Sequence, residues 1–108
     1  MSEVVAADTQ ERLDRALAWV VAARSLEVIG GEVFLMGDCF YVEQLLEDAG
    51  SRPAAVEVEE GLAPQVSVAR AEDELDAIDP GQRPVLLLPA RAELRILAAR
   101  LPDVDLAG

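Results

Sequence analysis

Residues 26–38 read Leu26-Glu27-Val28-Ile29-Gly30-Gly31-Glu32-Val33-Phe34-Leu35-Met36-Gly37-Asp38, and the fold class turns on how this stretch is divided. Gly30-Gly31 between two apolar runs suits a two-residue hairpin turn. It also suits a helix C-cap, the reading favoured here. In that case the preceding helix continues through Val28 and Ile29, Gly30 stops it, and Glu32 to Met36 forms a fresh buried strand.

Upstream, Glu3-Val4-Val5-Ala6-Ala7 is a short apolar run closed by Asp8-Thr9 and reads as a first strand, the reading favoured here, or as a frayed tail. Asp8 and Glu11 have the spacing of a capping box. Leu13, Ala16, Leu17, Val20, Val21 and Arg24 then keep the i, i+3, i+4 rhythm of an amphipathic helix. Downstream, Asp38 caps a helix from Cys39 to Ala49 whose face is Val42, Leu45, Leu46 and Ala49, and Gly50 ends it.

Ala55 to Glu59 and Gln65 to Ala69 alternate as brief strands, separated by Gly61 and Pro64. A short helix from Ala71 to Ile78 follows and is broken by Asp79-Pro80-Gly81. Val85 to Leu88, bounded by Pro84 and Pro89, resembles the middle strand of a parallel sheet. A last helix, Arg91 to Leu101, buries Leu94, Leu97, Ala98 and Leu101. Strands alternating with helices predict one α/β domain over residues 1–108, with a small, mostly parallel sheet covered by helices on both faces.

The chain has 108 residues, 52% of them hydrophobic but only 4% aromatic, so its core must be built from aliphatic side chains. Nine Arg against 21 Asp and Glu give a net charge of −12, which repels phosphate backbones and anionic membranes. A protein partner with a basic surface is the natural complement. All the cations are Arg, a composition expected of a GC-rich bacterium or its phage. One cysteine cannot form an internal disulfide, and neither a signal peptide nor a long apolar run stands out, so a cytoplasmic setting is expected.

With no histidine, the chain cannot build a Ser-His-Asp triad, a Cys-His pair or a His-ligated zinc site. The acidic cluster Glu72, Asp73, Glu74, Asp76 and Asp79 lacks the ligand spacing of an EF-hand and reads as a solvated helix face. No cofactor is expected.

Candidate site residues gather at the turn after Met36. Cys39 at a helix N-terminus can acquire a lowered pKa and act as a nucleophile or sulfur carrier. Against that, Asp38 beside it raises the pKa, and free cysteines are commonly inert core residues. Asp38 and Tyr41 would line the same crevice. Were the strands ending at Met36 and Leu88 parallel neighbours, Arg91 and Arg95 would open on the same edge and could receive an anion. The alternative is that both arginines pair with surface carboxylates such as Glu93 or Asp103.

The opening EVVAADTQERLDRALAWVVAARSLEVIGGEVFLMGD resembles that of the DsrE/DsrF-like sulfur-relay family, and RAEDELDAIDPGQRPVLLL resembles that family's acidic helix before its final buried strand. The likeness spans residues 3–88. It implies a flavodoxin-like sheet that oligomerises. The family's sulfur-carrying cysteine follows the third strand, where this chain has Val58-Glu59-Glu60, so Cys39 is not that residue.

Three functions follow as expectations. The first is a non-enzymatic interaction domain, whether subunit, adaptor or inhibitor, that binds another protein and forms homo- or hetero-oligomers. The second is a thiol-dependent, sulfur-handling protein using Cys39. The third is a regulatory domain binding a small ligand in the strand-end crevice.

Overall fold

A computed structural model describes residues 7–25 and 33–101, with the backbone alone for 33–36. Its elements are α1 (Ala7–Ser25), α2 (Val33–Asp48), α3 (Pro64–Asp76) and α4 (Leu87–Arg100), with one 3₁₀ turn at Pro80–Gln82. The described residues contain no strand.

The helices form a four-membered ring in which α1 packs on α2 and α3, and α4 packs on the same two. Side-chain ties fix the directions. Arg24 at the end of α1 meets Glu43 of α2, while Ser51, just past α2, reaches back to Leu13. Arg12 and Arg15 early in α1 meet Glu74 late in α3, and Trp19 lies over Ser67 early in α3. Arg91 early in α4 pairs with Asp76, and Arg100 at its end pairs with Asp38. Each neighbouring pair is therefore antiparallel, and α2 and α3, on one diagonal, run parallel. Joining them requires the long connection of residues 49–63, as in bundles with one crossover.

This architecture overturns the α/β expectation and with it the flavodoxin-like sheet that the DsrE/DsrF-like resemblance implied. Val33 to Met36, expected as a strand, are the first turn of α2. A short apolar run has no period of its own, so it fits a buried helix as well as a strand. The Gly30-Gly31 turn and most of the N-terminal strand lie outside the described residues; Ala7, given to that strand, is helical.

Gln65 to Ala69 belong to α3, for which Pro64 is not a separator but the first residue. Its missing N–H costs nothing there. Pro64, Ser67, Val68, Ala71 and Leu75 are buried at helical spacing. The apparent alternation arose because the buried Ser67 is polar. Its hydroxyl is satisfied by donating to the Trp19 carbonyl at 2.6 Å.

Val85 to Leu88 do not form a central strand either. Leu87 and Leu88 open α4 and Pro89 sits in its first turn, where the backbone N–H has no helical partner to lose. Ala55 to Glu59 lie between helices without a ladder partner, and Val56 leans on the core. They form a strap outside α1 and α3.

The helices at 8–24 and 39–49 are where the periodicity placed them, although α2 begins earlier. Gly50 ends α2 with φ +114, and the bonds Gly50 N–H to Glu47 O and Ser51 N–H to Leu46 O complete a Schellman cap. The core is aliphatic: Leu13, Leu17 and Val20 meet Val42 and Leu46, Val68 and Leu75, and Leu87, Leu94 and Leu97. Among the described residues no helix is long and apolar enough to cross a membrane.

Candidate functional site

Cys39 lies inside α2 with its side chain fully buried. Burial is the main cause that pushes its thiol up to about 12, and the carboxylates of Glu43 and Asp38 add to it against the opposing charge of Arg24. The thiol therefore keeps its proton at neutral pH. Asp38 is not a helix cap but a residue of α2, bonded to Arg100 at 2.9 Å. Tyr41 stands half exposed beside an equally exposed Phe40, whose ring carries the Arg24 guanidinium 4.5 Å above it. Asp38, Cys39 and Tyr41 thus share one helix.

Arg91 and Arg95 are brought together elsewhere, on the opposite flank of α4. They line a groove of about 430 Å³ between α3 and α4 with Glu72, Leu75, Asp76, Leu88 and Ile96. The strand-end crevice expected to join Cys39 to Arg91 does not form, because neither strand does. Arg91 binds Asp76 at 2.6 Å, the carboxylate-pairing alternative with a different partner. Arg95 makes no ion pair among the described residues, but its charge opposes the rise that burial gives Glu72. Arg91 opposes it too, while Asp76 and Asp73 push Glu72 the same way as burial, so a partly buried carboxylate with a raised pKa sits at this groove near two arginines but paired with neither.

The acidic cluster is divided among structural tasks. Glu74 accepts from Arg12 and Arg15, Asp76 from Arg91, and Asp79 from the Gly81 N–H. No group of three metal-ligating side chains comes together among the described residues.

A second groove, of about 740 Å³, lies beside the strap and is floored by Trp19. Arg70 stacks 4.9 Å over Trp19 and grips Glu59 with two bonds of 2.7 and 3.0 Å. That grip holds the Glu59 carboxyl below its ordinary range and ties the strap to α3.

The sequence reading missed the outer face of α4. Leu87, Ala90, Leu94 and Leu97 face the core. On the opposite side Leu88, Ala92 and Ile96 follow at i, i+4 and i+8, continuing the line begun by Val85. Val85 is 88% exposed, Leu86 56%, Leu88 70% and Ile96 44%. α4 thus carries a second apolar line besides its core face, with Arg91 and Arg95 on the flank between the two. The signal was present in the sequence, but it became legible only once the helix was extended back to Leu87.

The described residues form an acidic bundle of four helices with antiparallel neighbours, and α4 carries an exposed apolar line on its solvent side. No family model, curated protein or solved structure matches the chain.

Proposed function

We propose that the protein is a non-enzymatic interaction domain whose docking face is the outer side of α4 and the adjoining α3–α4 groove. The observation that carries this reading is the exposed line Val85, Leu88, Ala92 and Ile96. Contiguous exposed apolar surface of this kind is uncommon on monomers and is usually an interaction site. The groove adds direction: Glu72 and Asp76 on α3 face an apolar ridge that a partner could fill. A partner helix or loop with an apolar ridge and a cationic flank fits both features, and the charge of −12 favours its approach.

The test places a photo-crosslinking residue at position 88 in the cells that make the protein, with the same residue at exposed Glu47 on α2 as a control. Irradiation should join position 88, and not position 47, to a second polypeptide in a band of defined mass. A chain that stays uncrosslinked at position 88 under conditions that crosslink a known dimer would overturn the reading.

A further inference from the structure

The chemistry that suits this docking face is carried by α4 itself. Leu87–Arg100 holds Arg91, Arg95 and Arg100 against Glu93 alone, whereas α3 holds Glu72, Asp73, Glu74 and Asp76 against Arg70. At the groove itself the charges are Arg91 and Arg95 on the α4 wall and Glu72 and Asp76 on the α3 wall, with Leu88 and Ile96 among them. A surface that pairs with its own copy about a two-fold axis must be complementary to itself. A groove with both signs on its two walls and an apolar ridge between meets that condition.

Resting on the reading above, we infer that the partner is a second copy of this chain. A two-fold axis beside the groove seats α4 of each copy against α3 and α4 of the other. Leu88 and Ile96 fill the apolar centre, and Arg95 reaches Glu72 across the axis. Within one chain Arg95 and Arg91 only partly offset the rise that burial gives Glu72, and neither Glu72 nor Arg95 makes an ion pair among the described residues. The second copy brings a guanidinium to bonding distance. A standard interface buries about 800 Å² on each side. The apolar line alone falls short of that, which is why the flanking Arg91, Arg95 and Glu72 must be included.

The test is the mass in solution, by light scattering and sedimentation, of the full chain and of Leu88→Glu, Arg95→Glu and Glu72→Arg. These positions are at or near the surface, and helix content and melting temperature confirm that each variant folds. The full chain should have twice the mass of one chain, Leu88→Glu should be monomeric, and each charge reversal alone should weaken association at least tenfold. Mixing Arg95→Glu with Glu72→Arg should restore a dimer containing one chain of each, since both cross-axis pairs are then again of opposite sign.

A full chain that stays monomeric to about 100 μM overturns self-association. If position 88 still crosslinks to a different polypeptide, the interaction-domain reading stands without it. If position 88 crosslinks to nothing, both fall. A dimer indifferent to Leu88→Glu, or one that mixing does not restore, places the contact elsewhere and overturns the inference.

Discussion

Cys39 keeps its proton because three causes act in one direction: the burial of its sulfur and the charges of Glu43 and Asp38 outweigh Arg24. A thiol held near 12 reacts slowly, because only the thiolate attacks. Alkylation of the native protein between pH 7 and 9 should therefore proceed at the rate of unfolding and speed up sharply in denaturant. Fast native alkylation with an apparent pKa below about 7 would show that the thiol is activated after all. The same displacement has a consequence for stability. The unfolded thiol loses its proton near 9, and the folded one keeps it to about 12. Between those values the native state binds more protons, so stability falls as pH rises, by up to about 1.4 kcal/mol per pH unit. Comparing the chain with Cys39→Ala above pH 9 isolates that slope, which the variant should lack. Glu74 is a second residue whose role is fixed by its neighbours: it accepts from Arg12 and Arg15 at 2.9–3.2 Å across the α1–α3 contact. Glu74→Gln should cost about 1–2 kcal/mol in urea titration, because two arginines lose one charged acceptor.

The helices differ in how plainly the sequence announces them. The spacing of Leu13, Leu17 and Val20 is helical and nothing competes with it, so α1 was legible. α3 and the start of α4 were not, because Pro64 and Pro89 serve as breakers in one context and as first-turn residues in another. Only the packing of Ser67 on Trp19 and of Leu87 in the core decides between the two. The candidate site shared this fate, since the strand expected at 85–88 hid the outer face of α4, and the strand edge that was to join Arg91 and Arg95 to Cys39 does not form. Two glycines, one inside α2 and one just past its end, test the revised boundaries. Gly37 lies within the helix, and a Cβ built there meets nothing within 4 Å. Gly37→Ala should therefore stabilise the fold by about 0.5–1 kcal/mol, where a glycine required by a strand-to-helix turn would make the change costly. Gly50 has equal space but a φ of +114, which only glycine adopts without strain. Gly50→Ala should be destabilising by about 1 kcal/mol or more, and the opposite signs of the two melting-temperature shifts are the measurement.

For the molecule as a whole, two electrostatic effects oppose each other. The net charge of −12 pushes the chain apart, and the cross-linking arginines hold it together. The pairs Arg12–Asp8 and Arg15–Glu11 are 3.4 Å apart with well-exposed carboxylates, and such surface pairs contribute about 0–1 kcal/mol each. Glu74 and Glu43 are largely sheltered from solvent, and sheltered pairs are screened much less by salt. Repulsion acts over longer distances. α2 carries four acidic side chains and no arginine, with Glu47 and Asp48 exposed at its end. At 0.5 M salt the screening length falls well below the roughly 10 Å it has at 0.1 M, so repulsion across the bundle fades before the sheltered pairs do. The melting temperature should rise by several degrees between 20 mM and 500 mM NaCl, the shift produced by about 1 kcal/mol in a domain of this size. Measuring it on Leu88→Gln keeps changes in association out of the result and adds no charge. A melting temperature that falls with salt would mean that the arginine pairs, and not the surplus of carboxylates, dominate the electrostatics of the fold.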